Sequence, residues 1–72
     1  MTNAQDLILG KTYYIDKSND VAGEFIMRGK GSIFFKINWF LNNDLPTGGY
    51  HAPDGVIELS DTPIFNFKEK PE

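Results

Sequence analysis

The single histidine of the chain, His51, lies in the segment TGGYHAPDG, with Asp44 and Asp54 close to it in sequence. An imidazole titrates near neutral pH and, beside a carboxylate, can serve as a general base or a metal ligand. A metal site needs at least three protein ligands, however, and this segment offers no further nitrogen or sulfur ligand. No nucleophile in a recognisable setting accompanies the histidine. The sequence therefore predicts no catalytic residue, no metal and no cofactor, with a small hydrolytic or lyase activity around His51 as the least favoured alternative.

Aromatic and cationic side chains occur together in the segment IFFKINWFL, residues 33–41. Phe34 and Phe40, with Lys36 between them, could form a stacking platform for single-stranded nucleic acid. They could instead be buried under the chain's own loop, or contact another protein or a second copy. The candidate interaction surface combines these three residues with two from the following loop: Phe34, Lys36, Phe40, Tyr50 and His51.

The same segment has an apolar residue at every second position. This period of two predicts a β-strand with one apolar face, since a helix would distribute these residues around its circumference. Alternation also predicts which side chains form the core. The apolar face comprises Ile33, Phe35, Ile37, Trp39 and Leu41, and the predicted core is Phe35, Ile37 and Trp39 together with Phe25, Ile57 and Phe65.

Two glycines in the segment RGKG, residues 28–31, predict a tight turn between this strand and the one before it. The resulting hairpin should bring Phe25 and Met27 beside Phe35 and Ile37 on one face. Alternating patterns and turn residues predict the remaining elements. These are strands over residues 11–16, 21–28, 56–59 and 64–67, a short helical turn near the start capped by Asn3, a long irregular loop over 42–55 and a polar, frayed tail over 68–72.

Five short strands joined by turns, without room for a crossover helix, predict one all-β, antiparallel domain over residues 1–72. Curling the sheet into a small barrel would bury its aromatic face and protect its edges. The order of elements resembles an SH3-like barrel over about residues 9–67: a first strand bounded by Gly10, a central hairpin, and a turn containing Pro63 before the last strand. The resemblance implies a five-stranded barrel, and an OB-like Greek-key barrel is the alternative.

Composition narrows the class of function. The chain has 72 residues, no cysteine and a formal net charge of −3. Residues 1–43 carry five basic and four acidic side chains, whereas residues 44–72 carry two basic and six acidic ones. This balance disfavours a nucleic-acid partner, whose binding needs clustered Lys and Arg. No apolar stretch is long enough for a signal peptide or a membrane span, so we expect no membrane partner and a cytoplasmic location.

These observations together predict a small non-catalytic module that binds another protein or associates with itself. The alternative is a single-stranded nucleic-acid-binding barrel that uses the off-face aromatics with Lys and Arg. In composition the chain also resembles small accessory proteins encoded by bacteriophages, being short, free of cysteine and rich in Phe and Asn.

Overall fold

The part of the chain that the structure describes consists of β-strands and turns. The computed structural model describes residues 2–42, 44, 48–51, 55–62 and 66–71, with the backbone alone at 50 and 51. The elements are a 3-10 turn (Ala4–Asp6) and six strands, β1 (Thr12–Tyr14), β2 (Val21–Arg28), β3 (Ser32–Leu41), β4 (Gly49–His51), β5 (Val56–Ser60) and β6 (Lys68–Glu69). Within the described ranges, no helix is long and apolar enough to cross a membrane. The prediction of an all-β chain is confirmed.

The strands form one antiparallel sheet whose centre is the hairpin of β2 and β3. β1 pairs with the other side of β2, and β6 pairs with β1. β3 has two partners on its second side, because β5 pairs with its first half and β4 with its last three residues. The sheet is open in the described part of the chain, since no strand pairing there joins β6 to β4 or β5.

The turns form where the sequence predicts them. In the hairpin turn the Gly29 amide donates to the Ser32 carbonyl at 2.9 Å, and Gly31 has a positive φ of 74°, which glycine adopts without strain. In the turn before β2, the Asp16 carboxylate accepts a hydrogen bond from the Asp20 amide at 3.0 Å. This turn also places Asn19 at a φ of 59°, a region that Asn tolerates better than most residues.

Two short strands lie where the sequence predicts irregular chain. β4 lies inside the predicted 42–55 loop, and β6 lies inside the predicted polar tail. Both strands are too short to show a period of two, so their pairing depends on the neighbouring strand and not on their own pattern. β6 is held further by the Lys70 amide, which donates to the Thr12 carbonyl at 3.0 Å.

The core on one face of the sheet is built around aromatic rings. Phe35 is fully buried, and its ring meets those of Phe25 and Phe67 edge-on at centroid distances of 5.5 and 5.4 Å. Edge-to-face pairs of this kind add about 0.5–1.5 kcal/mol each beyond their area burial. The buried cluster comprises Ala4, Leu7, Tyr13, Phe25, Ile33, Phe35 and Phe67, with Ile15, Ile57 and Leu59 packed against it.

The predicted core is confirmed for Phe25 and Phe35, which pair directly across the hairpin. Ile57 is half-buried and packs against the cluster. Ile37 is also half-buried but does not belong to the cluster. Phe65 lies outside the described residues, and the ring that contacts Phe35 from the C-terminal part of the chain belongs to Phe67.

A β-bulge in β3 overturns the prediction that Trp39 joins this core. Trp39 pairs with Ala22, but Ile37 pairs with Gly23, so Asn38 has no opposite residue on β2. An unpaired residue reverses the alternation of everything after it relative to the partner strand. Trp39 is therefore buried on the opposite face of the sheet, where its ring meets that of Tyr14 edge-on at 5.9 Å.

A second bulge, in β2, overturns the prediction that Met27 shares a face with Phe25. Phe25 pairs with Phe35, whereas Met27 pairs with Phe34, which leaves Ile26 unpaired. Phe25 is 1% exposed and Met27 is 50% exposed. The bulge thus turns a large apolar side chain away from the core and into solvent.

Candidate functional site

The predicted interaction surface is divided between the two faces of the sheet. Phe34 and Lys36 lie on the face opposite the core, because they pair with Met27 and Glu24. Phe40 follows the Asn38 bulge, so the register places it on the core face. Phe34 is half-buried against the hairpin turn, since a Cβ atom on Gly29 would lie 3.1 Å from its ring.

The remaining two residues of that surface belong to β4, and the structure describes their backbone. Tyr50 pairs with Phe40 and His51 pairs with Trp39. Asp44 is exposed, and Asp54, the other carboxylate predicted near His51, lies outside the described residues. In the ranges that the structure describes, no group of three His, Cys, Asp or Glu side chains could hold a metal ion.

The most distinctive surface feature is an apolar groove that the sequence does not predict. It has a volume of about 670 Å³ and runs between the segment after the 3-10 turn, residues 7–9, and the end of β2, residues 25–28. Three of its side chains are large, apolar and well exposed, namely Ile8 (54%), Leu9 (64%) and Met27 (50%). Exposed apolar patches usually mark interaction sites, so we call this surface the β2 groove.

The first wall of the β2 groove is held in place by hydrogen bonds and one buried anchor. Leu7 belongs to the core cluster, and the next amide, of Ile8, donates to the Tyr13 hydroxyl at 3.0 Å. Gly10, with a φ of 87°, then lets the chain turn so that its amide reaches the Phe25 carbonyl at 2.9 Å. These bonds hold the backbone of residues 7–10 in place, so the exposed side chains of Ile8 and Leu9 have a fixed starting point on the surface.

The 3-10 turn before this wall forms as the sequence predicts, although the predicted cap does not. Asn3 occupies the N-cap position of Ala4–Asp6, but its side chain makes no capping hydrogen bond. The turn is held instead from the rest of the fold. Thr2 and Phe67 exchange backbone hydrogen bonds of 2.7 Å, and Arg28 donates to the Ala4 carbonyl at 2.9 Å.

The second wall is the bulged end of β2, and it carries the one charged side chain that lines the groove, Arg28. Its guanidinium carbon lies 5.2 Å from the centroid of the Phe25 ring, within the range of a cation–π contact. Among the described residues, no carboxylate forms an ion pair with Arg28, and the ion pair found there joins Lys11 to Glu69 at 3.4 Å. The groove therefore combines apolar walls with a positive charge that has no ion-pair partner within the described residues.

Sequence reasoning missed the β2 groove for a physical reason. The sequence places Ile8 and Leu9 in a short N-terminal turn. It predicts that Met27 is a core residue, because Met27 alternates with Phe25. The Ile26 bulge is what exposes Met27, and it leaves no signal in the hydrophobic pattern. The one available signal is the run LIL at residues 7–9, whose consecutive apolar side chains cannot all face the same core.

Comparison of the chain with protein-family models, curated proteins and solved structures finds no match in any of the three. The evidence for a function therefore comes from the residues that line the groove. Its lining offers apolar contact, a guanidinium and strand backbone. These groups bind other molecules well, but none of them is a nucleophile or a general base.

Proposed function

We propose that this protein is a small non-catalytic module that binds a partner protein through the β2 groove. The observation that carries the proposal is the exposure of Ile8, Leu9 and Met27 around one groove, on a chain with a small core. Because these side chains are 50–64% exposed, each forgoes only part of the roughly 1.5–3 kcal/mol that its full burial would contribute. A partner that covers them would recover part of that free energy on binding.

We further propose that the sheet belongs to an SH3-like barrel. The support is its connectivity: β1, β2, β3 and β5 pair in succession, and the last strand, β6, returns to pair with β1. In this arrangement the β2 groove borders the core cluster, since Leu7 and Phe25 belong to both, and its other lining residues lie outside the cluster. A ligand could therefore enter the groove without opening the fold.

Charge favours a different protein over a second copy as the partner. A two-fold interface centred on the groove would bring two Arg28 side chains together, and Lys30 lies two residues further in the same turn. Like charges brought together at an interface oppose association. Self-association through the groove is therefore the less favoured of the two modes.

Single-stranded nucleic acid is the second candidate partner, and one observation favours it. Lys70 Nζ lies 4.8 Å from the centroid of the Trp39 ring, on the same face as Lys36, so that face combines cations with aromatic rings. However, Trp39 is only 9% exposed, whereas stacking requires an open ring face. In the β2 groove, by contrast, Ile8, Leu9 and Met27 are each at least 50% exposed.

The test is a selection of peptides from a displayed random library on the immobilised protein. Enriched peptides are then assayed on two variants that each add one negative charge at an exposed apolar position. Leu9→Asp lies in the β2 groove, and Val56→Asp, at a site 56% exposed on β5, is the matched control outside it. The proposal predicts that binding is lost in Leu9→Asp and kept in Val56→Asp.

Two results would contradict the proposal. One is a selection that enriches no peptide, and the other is enriched peptides that bind both variants equally. A parallel titration with a single-stranded oligonucleotide at low and moderate salt tests the second candidate. Saturable binding that weakens steeply as salt rises would favour nucleic acid over protein.

A further inference from the structure

We infer that the β2 groove takes an extended, acidic segment of the partner, which lies along the uncovered side of β2 at residues 26–28. This inference rests on the proposed function and specifies the partner's conformation and charge. Two independent observations on the described part of the chain support it. The end of β2 pairs with a strand on one side, and Arg28 beside it forms no ion pair there.

Within the described ranges, the end of β2 has a neighbouring strand on one side only. β1 pairs with β2 as far as Glu24, and the last backbone bonds on that side join Phe25 to Gly10 and Lys11. Beyond Phe25, Met27 and Arg28 pair with β3, and the described chain makes no backbone hydrogen bond to β2 from the other side. An exposed strand side of this kind is a template for an added strand, and alternate side chains of that strand would contact the apolar walls.

The charge of the groove selects acidic side chains on the added segment. Arg28 lines the groove without an ion pair among the described residues, and the exposed Lys30 lies in the adjoining turn. The chain as a whole is acidic, with a net charge of −3. Two acidic residues beside the hairpin turn, Glu58 and Asp61, belong to β5 and the residue after it, on the other side of β3 from β2. Within the described residues, Arg28 is the charged side chain that lines the groove. The net negative charge of the protein repels acidic peptides in general. Tighter binding of an acidic than of a basic peptide would therefore report the local charge of the groove.

The experiment compares three synthetic seven-residue peptides by fluorescence anisotropy. The first alternates Asp with Val and Leu, the second replaces each Asp by Lys, and the third is the first peptide N-methylated at every second backbone amide. The protein variants are Lys30→Glu and the matched control Lys17→Glu, which reverses an exposed charge in the other turn. Lys30 is preferred to Arg28 for this test because Arg28 also holds the 3-10 turn.

The inference predicts that the acidic peptide binds about tenfold more tightly than its N-methylated form, which loses backbone hydrogen bonds. It should also bind more tightly than the Lys peptide, and Lys30→Glu should weaken it about threefold, whereas Lys17→Glu should leave it unchanged. If the three peptides bind equally and Leu9→Asp abolishes all three, the inference fails and the proposed function stands. If no peptide of the three binds, the inference also fails, and the library selection decides the proposed function separately.

Discussion

At the scale of single residues, the fold depends on a few rings and on glycines that make room for them. Phe35 contacts two other aromatic rings at the centre of the core, and Trp39 is buried on the other face against Tyr14. A chain of this length has a total stability of about 4–11 kcal/mol by the usual per-residue range. One lost ring contact is therefore a large fraction of the whole.

Replacing Phe35 by Ala should cost about 3–5 kcal/mol, because it leaves a cavity among rings that cannot close it completely. Chemical denaturation of the parent and the variant measures this difference. Phe34→Ala, on the same strand but half-buried on the other face, is the control and should cost clearly less. A Phe35→Ala protein that melts within a few degrees of the parent would show that the register is wrong.

Gly49 is required because the Trp39 ring occupies the space of a side chain. A Cβ atom at Gly49 would lie 2.1 Å from Cζ2 of Trp39, closer than any real contact. Gly49→Ala should therefore destabilise the fold by about 1–3 kcal/mol, the usual cost of overpacking. Gly55→Ala is the matched control, since a Cβ atom there meets nothing within 4 Å. Equal melting temperatures for the two variants would contradict the packing of β4 on Trp39.

At the scale of elements, the sequence predicts the regular parts of the sheet and misses its irregularities. Alternation predicts β2, β3 and β5, and two glycines predict the hairpin turn, because period and turn chemistry are local properties. The bulges at Ile26 and Asn38 depend on how two strands fit together. Their consequences, the exposure of Met27 and the transfer of Trp39 to the other face, could not be predicted from a pattern within one strand.

The turn before β2 is predicted to depend on Asp16, whose carboxylate accepts hydrogen bonds from the Asp20 and Val21 amides at 3.0 and 3.4 Å. Both amides donate to Oδ1, so Asp16→Ala removes both hydrogen bonds and should cost about 0.5–2 kcal/mol, similar to the loss of a helix cap. Lys17→Ala, exposed in the same turn, should change stability by less than about 0.5 kcal/mol. Thermal unfolding of both variants makes the comparison. A loss in Lys17→Ala as large as that in Asp16→Ala would contradict the assigned role.

At the scale of the whole molecule, none of the candidate site was predicted as the structure has it. Phe34 and Lys36 of the predicted surface lie on the face opposite the core, and Phe40 lies on the core face. Tyr50 and His51 belong to β4, where the structure describes the backbone alone. The β2 groove combines the N-terminal segment with the end of β2, two parts of the chain that are about eighteen residues apart. Such a site becomes visible only when the pairing of the strands is known.

Because like charges oppose a two-fold interface at the groove, we expect the isolated protein to sediment as a monomer. Sedimentation velocity over a range of protein concentrations measures this directly. Leu9→Asp should leave the sedimentation coefficient unchanged. A concentration-dependent dimer that Leu9→Asp dissociates and Val56→Asp does not would show that the groove binds a second copy.

Amide chemical-shift mapping of a library-selected peptide on the isotope-labelled protein would show directly whether the peptide binds in the β2 groove. We expect the largest shift changes at residues 7–9 and 25–28, which form the walls of the β2 groove. Amides of Lys36, Trp39 and β5, which lie away from the groove on the opposite face or beyond β3, should change little. Shift changes concentrated at Lys36, Trp39 and β5, with the groove amides unchanged, would show that the peptide binds elsewhere.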